Sequence, residues 1–349
     1  VIFKLYDTYG FPVDIVQDVV RDRKIALDME GFDESMEKQR EKSRSVISFA
    51  GVSDAFKALT AKGYKPEFVG YDHTSVQAEV VLVAEEGKEI DEAGAGIVVE
   101  VVTDRTPFYG EAGGQVGDTG RIEGENLRLE VSDTVKDPTG LIIHRGKVVS
   151  GKIAKGDVVV LTVDDKERAA TALNHTATHI LHSVLRKVLG DHVKQAGSLV
   201  APDRLRFDFT HFSQVETSEI EKIEQLVNEK ILENVAVHTD EMEAEKAFKS
   251  GATALFEEKY GDRVRVVSLS DFSKELCGGT HTSRTGNIGL FKIVSESSVA
   301  SGVRRIEAVT GIEALKHVQE TERILREAAR IVKERPDALA RRLEKLAAS

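Results

Sequence analysis

Apolar residues keep a helical rhythm at the two ends of the chain and a tighter, strand-like rhythm between them. Pro12 follows Gly10 and suits a first helical position, after which Val13, Val16, Val19 and Val20 recur at helical spacing. From Asp33 the charged run ESMEKQREKSRS continues as a solvated helix, and Gly63 stops the helix of AFKALTAKG. Residues 1–63 are thus expected to be helical. From about residue 68 the runs AEVVLVAEEG, AGIVVEVVTD, LRLEVSD, LIIHRGKVV and GDVVVLTVD are punctuated by glycine and aspartate, which predicts a small antiparallel β-barrel or sandwich over 64–163. Asp164 or Asp165 then caps a long helix running to Gly190. Beyond it, strands (GSLV, LRFDFTH, VAVHTD, VRVVSLS, GLFKIVSES, RRIEAVTG) alternate with helices near 217–233 and 243–249, the rhythm of an α+β domain over 164–310. Leu315, Val318, Ile324, Leu325, Ala328, Ile331 and Val332 then precede Pro336 and a second helical stretch, so 311–349 reads as a helical connector. The fold class expected is multidomain α+β.

Composition narrows what such a chain can do. At 349 residues it exceeds one ordinary core, in line with several domains. No apolar run approaches the roughly 20 residues of a membrane span and no signal-peptide pattern opens the chain, so a cytoplasmic location and no membrane partner are expected. A formal net charge of -11 argues against bulk nonspecific nucleic-acid binding and leaves room for a local basic patch. The single cysteine, Cys277, excludes an intramolecular disulfide and leaves a buried thiol, a metal ligand or a nucleophile. Val1 stands where an initiator methionine is expected, and the chain reads as the interior of something longer.

Residues 174–182, NHTATHILH, hold three of the ten histidines. On a helix of 3.6 residues per turn His175, His179 and His182 fall within roughly 60° of one another. Polar residues satisfied at a domain surface would explain any one of them. The stretch LCGGTH repeats the spacing of four in Cys277 and His281, with Gly278 and Gly279 letting the backbone turn tightly. Imidazole and thiolate are preferred ligands of Zn²⁺, and two such pairs supply a tetrahedral set, His175, His179, Cys277 and His281. Thr176 stands where a metalloprotease helix carries its glutamate, which disfavours peptide hydrolysis of that type. Four protein ligands normally close a structural site; a catalytic one needs a loose ligand or a fifth position.

The segments HTATHILH, HVKQAGSLV, RFDFTH, ELCGGTH and TGNIGLFKIVSESSVASGVRRIEAVTG resemble the editing domain of the alanyl-tRNA synthetase family and its free-standing AlaX relatives. FYGEAGGQVGDTG resembles the glycine-rich segment of the barrel before that domain, and LYDTYGFPVD the end of the family's aminoacylation and tRNA-recognition region. The resemblance implies an internal piece of a synthetase, without the ATP-dependent domain, that hydrolyses the ester of Ser-tRNA(Ala) and Gly-tRNA(Ala). It implies Zn²⁺ on His175, His179, Cys277 and His281, and Gln195 as a polar residue of the substrate pocket, with Thr178 a further candidate for the catalytic site. It also implies the acceptor end of tRNA(Ala) as partner, and self-association through a C-terminal region beyond this chain, which would itself be monomeric.

An aminoacyl ester is already activated, so a positioned water, a Lewis acid and donors to the oxyanion suffice without a protein nucleophile. Whether the metal orients the amino group or the water stays open at this point, as does the side chain that assists the water. To spare alanine and remove serine, a site must bond the extra hydroxyl, for which Thr176, Thr178 and Ser198 are candidates. Glycine lacks that hydroxyl and is outside this logic. Lys194, Arg304 and Arg305 are candidates for phosphate contacts. Gly113, Gly114 and Gln115 form a GGQ tripeptide of the kind class I release factors use, read here as a glycine-rich turn whose backbone faces the editing core and the tRNA end. The rival readings are a noncatalytic RNA-binding module with a structural zinc, a free-standing editing hydrolase, and a metallohydrolase unrelated to tRNA.

Overall fold

A computed structural model describes residues 54–253 and 261–347, together with Gly31. The helical reading of residues 1–63 therefore lies mostly outside the described residues. Its last part is helix α1, Asp54–Ala61, and Gly63 follows with φ +75°, a conformation that ends a helix without a Cβ clash.

Among the strands that come next, some of only two or three residues, six are the staves of a barrel: β1 (Ser75–Glu85), β2 (Val98–Thr103), β3 (Gly120–Glu123), β4 (Arg128–Lys136), β5 (Ile142–Ser150) and β6 (Val158–Val163). They pair antiparallel in the order β6–β3–β4–β5–β2–β1, and β6 pairs with β1 to close a barrel. Alternation along each strand sends Val80, Val101, Ile122, Leu129, Val148 and Leu161 inward to full burial. Closure removes the free edges that a sandwich would leave, and this decides between the two architectures that the pattern allowed.

Helix α2 (Asp165–Leu189) leaves the barrel directly from β6. Asp164 caps it, its side chain accepting from the backbone of Lys166 and Glu167, and Gly190 ends it. Strands β7 (Gln195–Val200) and β8 (Leu205–Thr210) follow, then helix α3 (Thr217–Leu232), strand β9 (Val237–Glu243), helix α4 (Ala244–Lys249), and strands β10 (Arg263–Leu269), β11 (Ser273–Leu276), β12 (Phe291–Ala300) and β13 (Val303–Thr310). They form two antiparallel sheets, β7–β8–β13–β12 and β9–β10–β11. Ile180, Leu181 and Leu185 of α2 pack with Ile223 and Val227 of α3 against Phe207, Phe291 and Ile306 of the first sheet. The last helices, α5 (Gly311–Ile331) and α6 (Leu339–Ala347), flank Pro336. Among the described residues no helix is long and apolar enough to cross a membrane.

A buried ion pair fixes α2 to the barrel. Arg168, in the first turns of α2, forks onto Asp118 and also donates to the carbonyls of Gly70 at 2.7 Å and Pro107 at 2.8 Å. Asp118 accepts in addition from the Tyr109 amide. Each guanidinium nitrogen thus meets an acceptor, the condition under which a buried charge is tolerated. The same contacts set the register of α2, and hence where its histidines lie.

Candidate metal centre

Helix α2 brings His175 and His179 to one face with their rings stacked 5.3 Å apart, and the turn after β11 brings Cys277 and His281 against them. One ligand atom from each of the four lies within 4.8 Å of every other. Cys277 Sγ is 3.3 Å from Nε2 of His175 and 3.3 Å from Nε2 of His281.

Three acceptors from three parts of the chain determine how the imidazoles face. Gln115 Oε1 accepts from His175 Nδ1 at 2.7 Å, Glu275 accepts from His179 Nδ1, and Thr176 Oγ1 is 3.3 Å from His281 Nδ1. Thr176 has donated its own proton to the Ala172 carbonyl, so toward His281 it acts as acceptor. With each Nδ1 protonated, each Nε2 presents a lone pair to the cluster, which is how histidine is prepared for a metal. His179 Nε2 is buried without a hydrogen-bond partner, as expected of an atom whose partner is an ion.

Electrostatics agree with the geometry. Burial pushes the Cys277 thiol up, but the imidazoles of His175, His281 and His179 outweigh it and hold the thiol well below its ordinary value. Burial disfavours charge on His179 and Glu275 alike, yet each outweighs that for the other, so His179 is raised and Glu275 is lowered. His281 is pushed down by burial and by the neighbouring His175. A thiolate, the Nε2 lone pairs of His175 and His281, that of His179 once an incoming cation displaces its proton, and a carboxylate behind His179 fit Zn²⁺.

The ligand turn is itself clamped. Arg265 donates to the carbonyls of Cys277 at 3.0 Å and Gly279 at 2.8 Å, and stacks 4.1 Å from the centre of the Tyr71 ring. Tyr71 in turn donates to the Gly278 carbonyl at 2.6 Å. Beside the cluster opens a cavity of about 430 Å³, whose lining includes Gly113, Thr178, Gln195, Ser198 and Phe207.

Several residues singled out in the sequence are already paired within the protein. Gln115 is fully buried, its Nε2 donates to Thr280 Oγ1 at 2.9 Å, and its Oε1 accepts from the Thr280 amide as well as from His175. The GGQ turn is thus the barrel's arm into the histidine and cysteine cluster. Gly114 has φ +87°, and a Cβ there would come within 2.6 Å of the Ser198 carbonyl. Arg304 and Arg305 are not free cations: Arg304 forks onto Glu296 and Arg305 onto Asp208. Lys194 is exposed and precedes Gln195 of the cavity wall. Thr178 donates to the Asn174 carbonyl at 2.8 Å and Ser198 lies 3.4 Å from the Arg206 carbonyl.

Glu275 and Arg265 were not singled out in the sequence. Glu275 stands two positions before Cys277 in the short strand SKEL, and a carboxylate so close to the single cysteine was the available signal. Arg265 left none, since one arginine in a strand looks like any surface charge.

Comparison with known proteins adds independent observations. The family model of class II tRNA synthetases (A) matches residues 1–167. The model of the threonyl and alanyl tRNA synthetase second additional domain matches residues 264–307, which include Glu275, Cys277 and His281. The chain is 59% identical over 348 residues to an alanine–tRNA ligase of Desulfosudis oleivorans. It is 50% identical over 350 residues to one of Acetivibrio thermocellus and 48% identical over 343 residues to one of Thermotoga maritima. At least 98% of the chain is aligned in each case, and it spans 40% of the relatives' length.

Proposed function

The chain belongs to the alanyl-tRNA synthetase family, and on that premise we propose that residues 164–310 form a zinc-dependent editing site that hydrolyses Ser-tRNA(Ala) and Gly-tRNA(Ala). The observation that carries this reading is the convergence of four ligand atoms beside a cavity of about 430 Å³ that can admit an aminoacyl group. His175, His179, Cys277 and His281 would hold the ion.

Zinc, when bound there, supplies Lewis-acid polarisation of the ester or of a bound group. The chain's own residues do the remaining work. Gln115, Glu275 and Thr176 hold protons on Nδ1 of their histidines, keeping each Nε2 aimed at the centre. Arg265 and Tyr71 hold the turn that carries Cys277. Thr178, Gln195 and Ser198 offer polar atoms along the cavity wall, where the aminoacyl group and the attacking water are to be positioned. The acceptor end of tRNA(Ala) is the partner this reading requires, and Lys194, exposed beside Gln195 of the wall, is a cation suited to its phosphates.

The test is deacylation of Ser-tRNA(Ala) and Ala-tRNA(Ala) by the wild-type chain and by Cys277→Ala, with metal content measured on the same samples. Serine release well above buffer, about one zinc per wild-type chain, and loss of both in the variant are expected. Four protein ligands also suit a closed structural zinc. Zinc binding and tRNA binding without serine release would establish that noncatalytic reading instead.

A further inference from the structure

The third histidine of NHTATHILH is not part of the ligand cluster, and its environment is unusual. His182 is 4% exposed, lies three residues and thus roughly 4.5 Å along α2 from His179, and lines the same cavity. Its Nδ1 donates to Glu275 Oε1 at 2.7 Å, the other oxygen of the carboxylate that serves His179. With Nδ1 protonated, Nε2 is an acceptor. That atom is buried and has no hydrogen-bond partner. The ring is tilted against Phe207, with centroids 5.3 Å apart, so an apolar surface adjoins the imidazole, and both residues line the cavity.

We propose that His182 is the residue that recognises the serine hydroxyl, its Nε2 accepting the hydroxyl proton of the seryl group while Phe207 packs against the adjoining methylene. The assignment rests on the editing reading above and deepens it. The threonines considered for this task are already committed: Thr178 donates to the Asn174 carbonyl, and Thr176 donates to Ala172 and accepts from the Thr282 amide. Neither needs a ligand to be satisfied. His182 does, and a buried acceptor that a hydroxyl or a water has to satisfy penalises alanine, whose methyl takes up the space of either and leaves it unpaired, whereas glycine leaves room for a water. An unpaired buried polar group costs enough to slow the wrong substrate roughly 5- to 150-fold. This is discrimination in the difficult direction, against the smaller analogue, which size exclusion cannot provide.

The experiment compares deacylation of tRNA(Ala) carrying serine, alanine or 2-aminobutyrate, the last replacing the hydroxyl with a methyl of similar size. The wild-type chain is expected to prefer seryl over 2-aminobutyryl ester by a factor in that range. His182→Phe keeps a ring of similar size but no acceptor, and is expected to bring the ratio close to one with zinc content unchanged. His182→Gln, which can place an amide oxygen near the Nε2 position, is expected to retain part of the preference, and provides the comparison should the phenylalanine variant lose its metal. Equal wild-type rates on seryl and 2-aminobutyryl esters would overturn the assignment. So would an equal slowing of all three esters in both variants, the signature of a contact to the ammonium group or of a structural role. No serine release by the wild-type chain overturns the editing reading itself, and the assignment with it.

Discussion

The two glycines of LCGGTH look interchangeable on paper, and the structure predicts that they are not. A Cβ on Gly279 would stand 2.0 Å from Cε1 of His175, 2.4 Å from its Nδ1 and 2.7 Å from Gln115 Oε1. A Cβ on Gly278 would meet nothing within 4 Å, and neither glycine has a positive φ. In Gly279→Ala, ordinary contact begins at 3.4 Å, so the methyl is about 1.4 Å too close and the His175 ring or the ligand turn has to move. The ring cannot yield freely, because Gln115 and the turn of α2 hold it. Metal–ligand distances tolerate only about 0.2 Å. Losing the support of one ligand commonly lowers metal affinity about 10- to 100-fold, roughly 1.4–2.7 kcal/mol, and displacing the ligand itself should reach at least the upper end. Zinc affinity measured by competition with a chromogenic chelator should therefore fall by about 100-fold or more in Gly279→Ala and stay within about threefold of wild type in Gly278→Ala. Equal affinities of the two variants would refute the reasoning, because they would mean that the turn does not press on His175.

Two further outcomes concern the frame around the site. Arg168→Met leaves the Asp118 carboxylate buried and unpaired and should cost about 3–5 kcal/mol, read as a lowered midpoint in urea unfolding; an unchanged midpoint would refute the role assigned to this pair. His144, fully buried in the barrel, is lowered to about 4 by loss of solvation; its Nδ1 donates to the Val101 carbonyl and its Nε2 accepts from Thr106. The unfolded chain takes up this proton below about pH 6.5 and the folded one only near 4, so its contribution is complete above pH 6.5 and is lost as pH falls to about 4. The 2.5-unit difference corresponds to about 3 kcal/mol. Urea unfolding between pH 7 and pH 4 should show a shallower pH slope in His144→Gln than in wild type, and parallel slopes would rule the assignment out.

Much of the architecture is legible in local patterns because its causes are local. Asp164 caps α2 with its own side chain, Gly190 ends it, and the valine-rich runs between glycine turns become the strands of the barrel, since a pleated chain needs only alternation to choose its inner face. The candidate ligand cluster is visible for the same reason: a spacing of four puts His175 and His179 on one helical face, and a tight glycine turn returns Cys277 and His281 to one point. What makes those atoms usable comes from afar. Gln115 lies 60 residues from His175 along the chain, and Glu275 lies 96 from His179; only the packing of the barrel on α2 and of β11 beside it brings them within bonding distance. Charge was the least legible property. Arg304 and Arg305 read as free cations until their partners, Glu296 on the neighbouring strand and Asp208 on another, came into register. A sequence states which groups a chain carries, whereas which of them are left unpaired depends on neighbours supplied by distant segments. For this chain the sequence by itself determined the helix, the barrel and the four ligand types. The tertiary structure alone decided which of two adjacent glycines has no room for a Cβ, which residues aim the histidines, and that the buried His182 Nε2 lacks a hydrogen-bond partner.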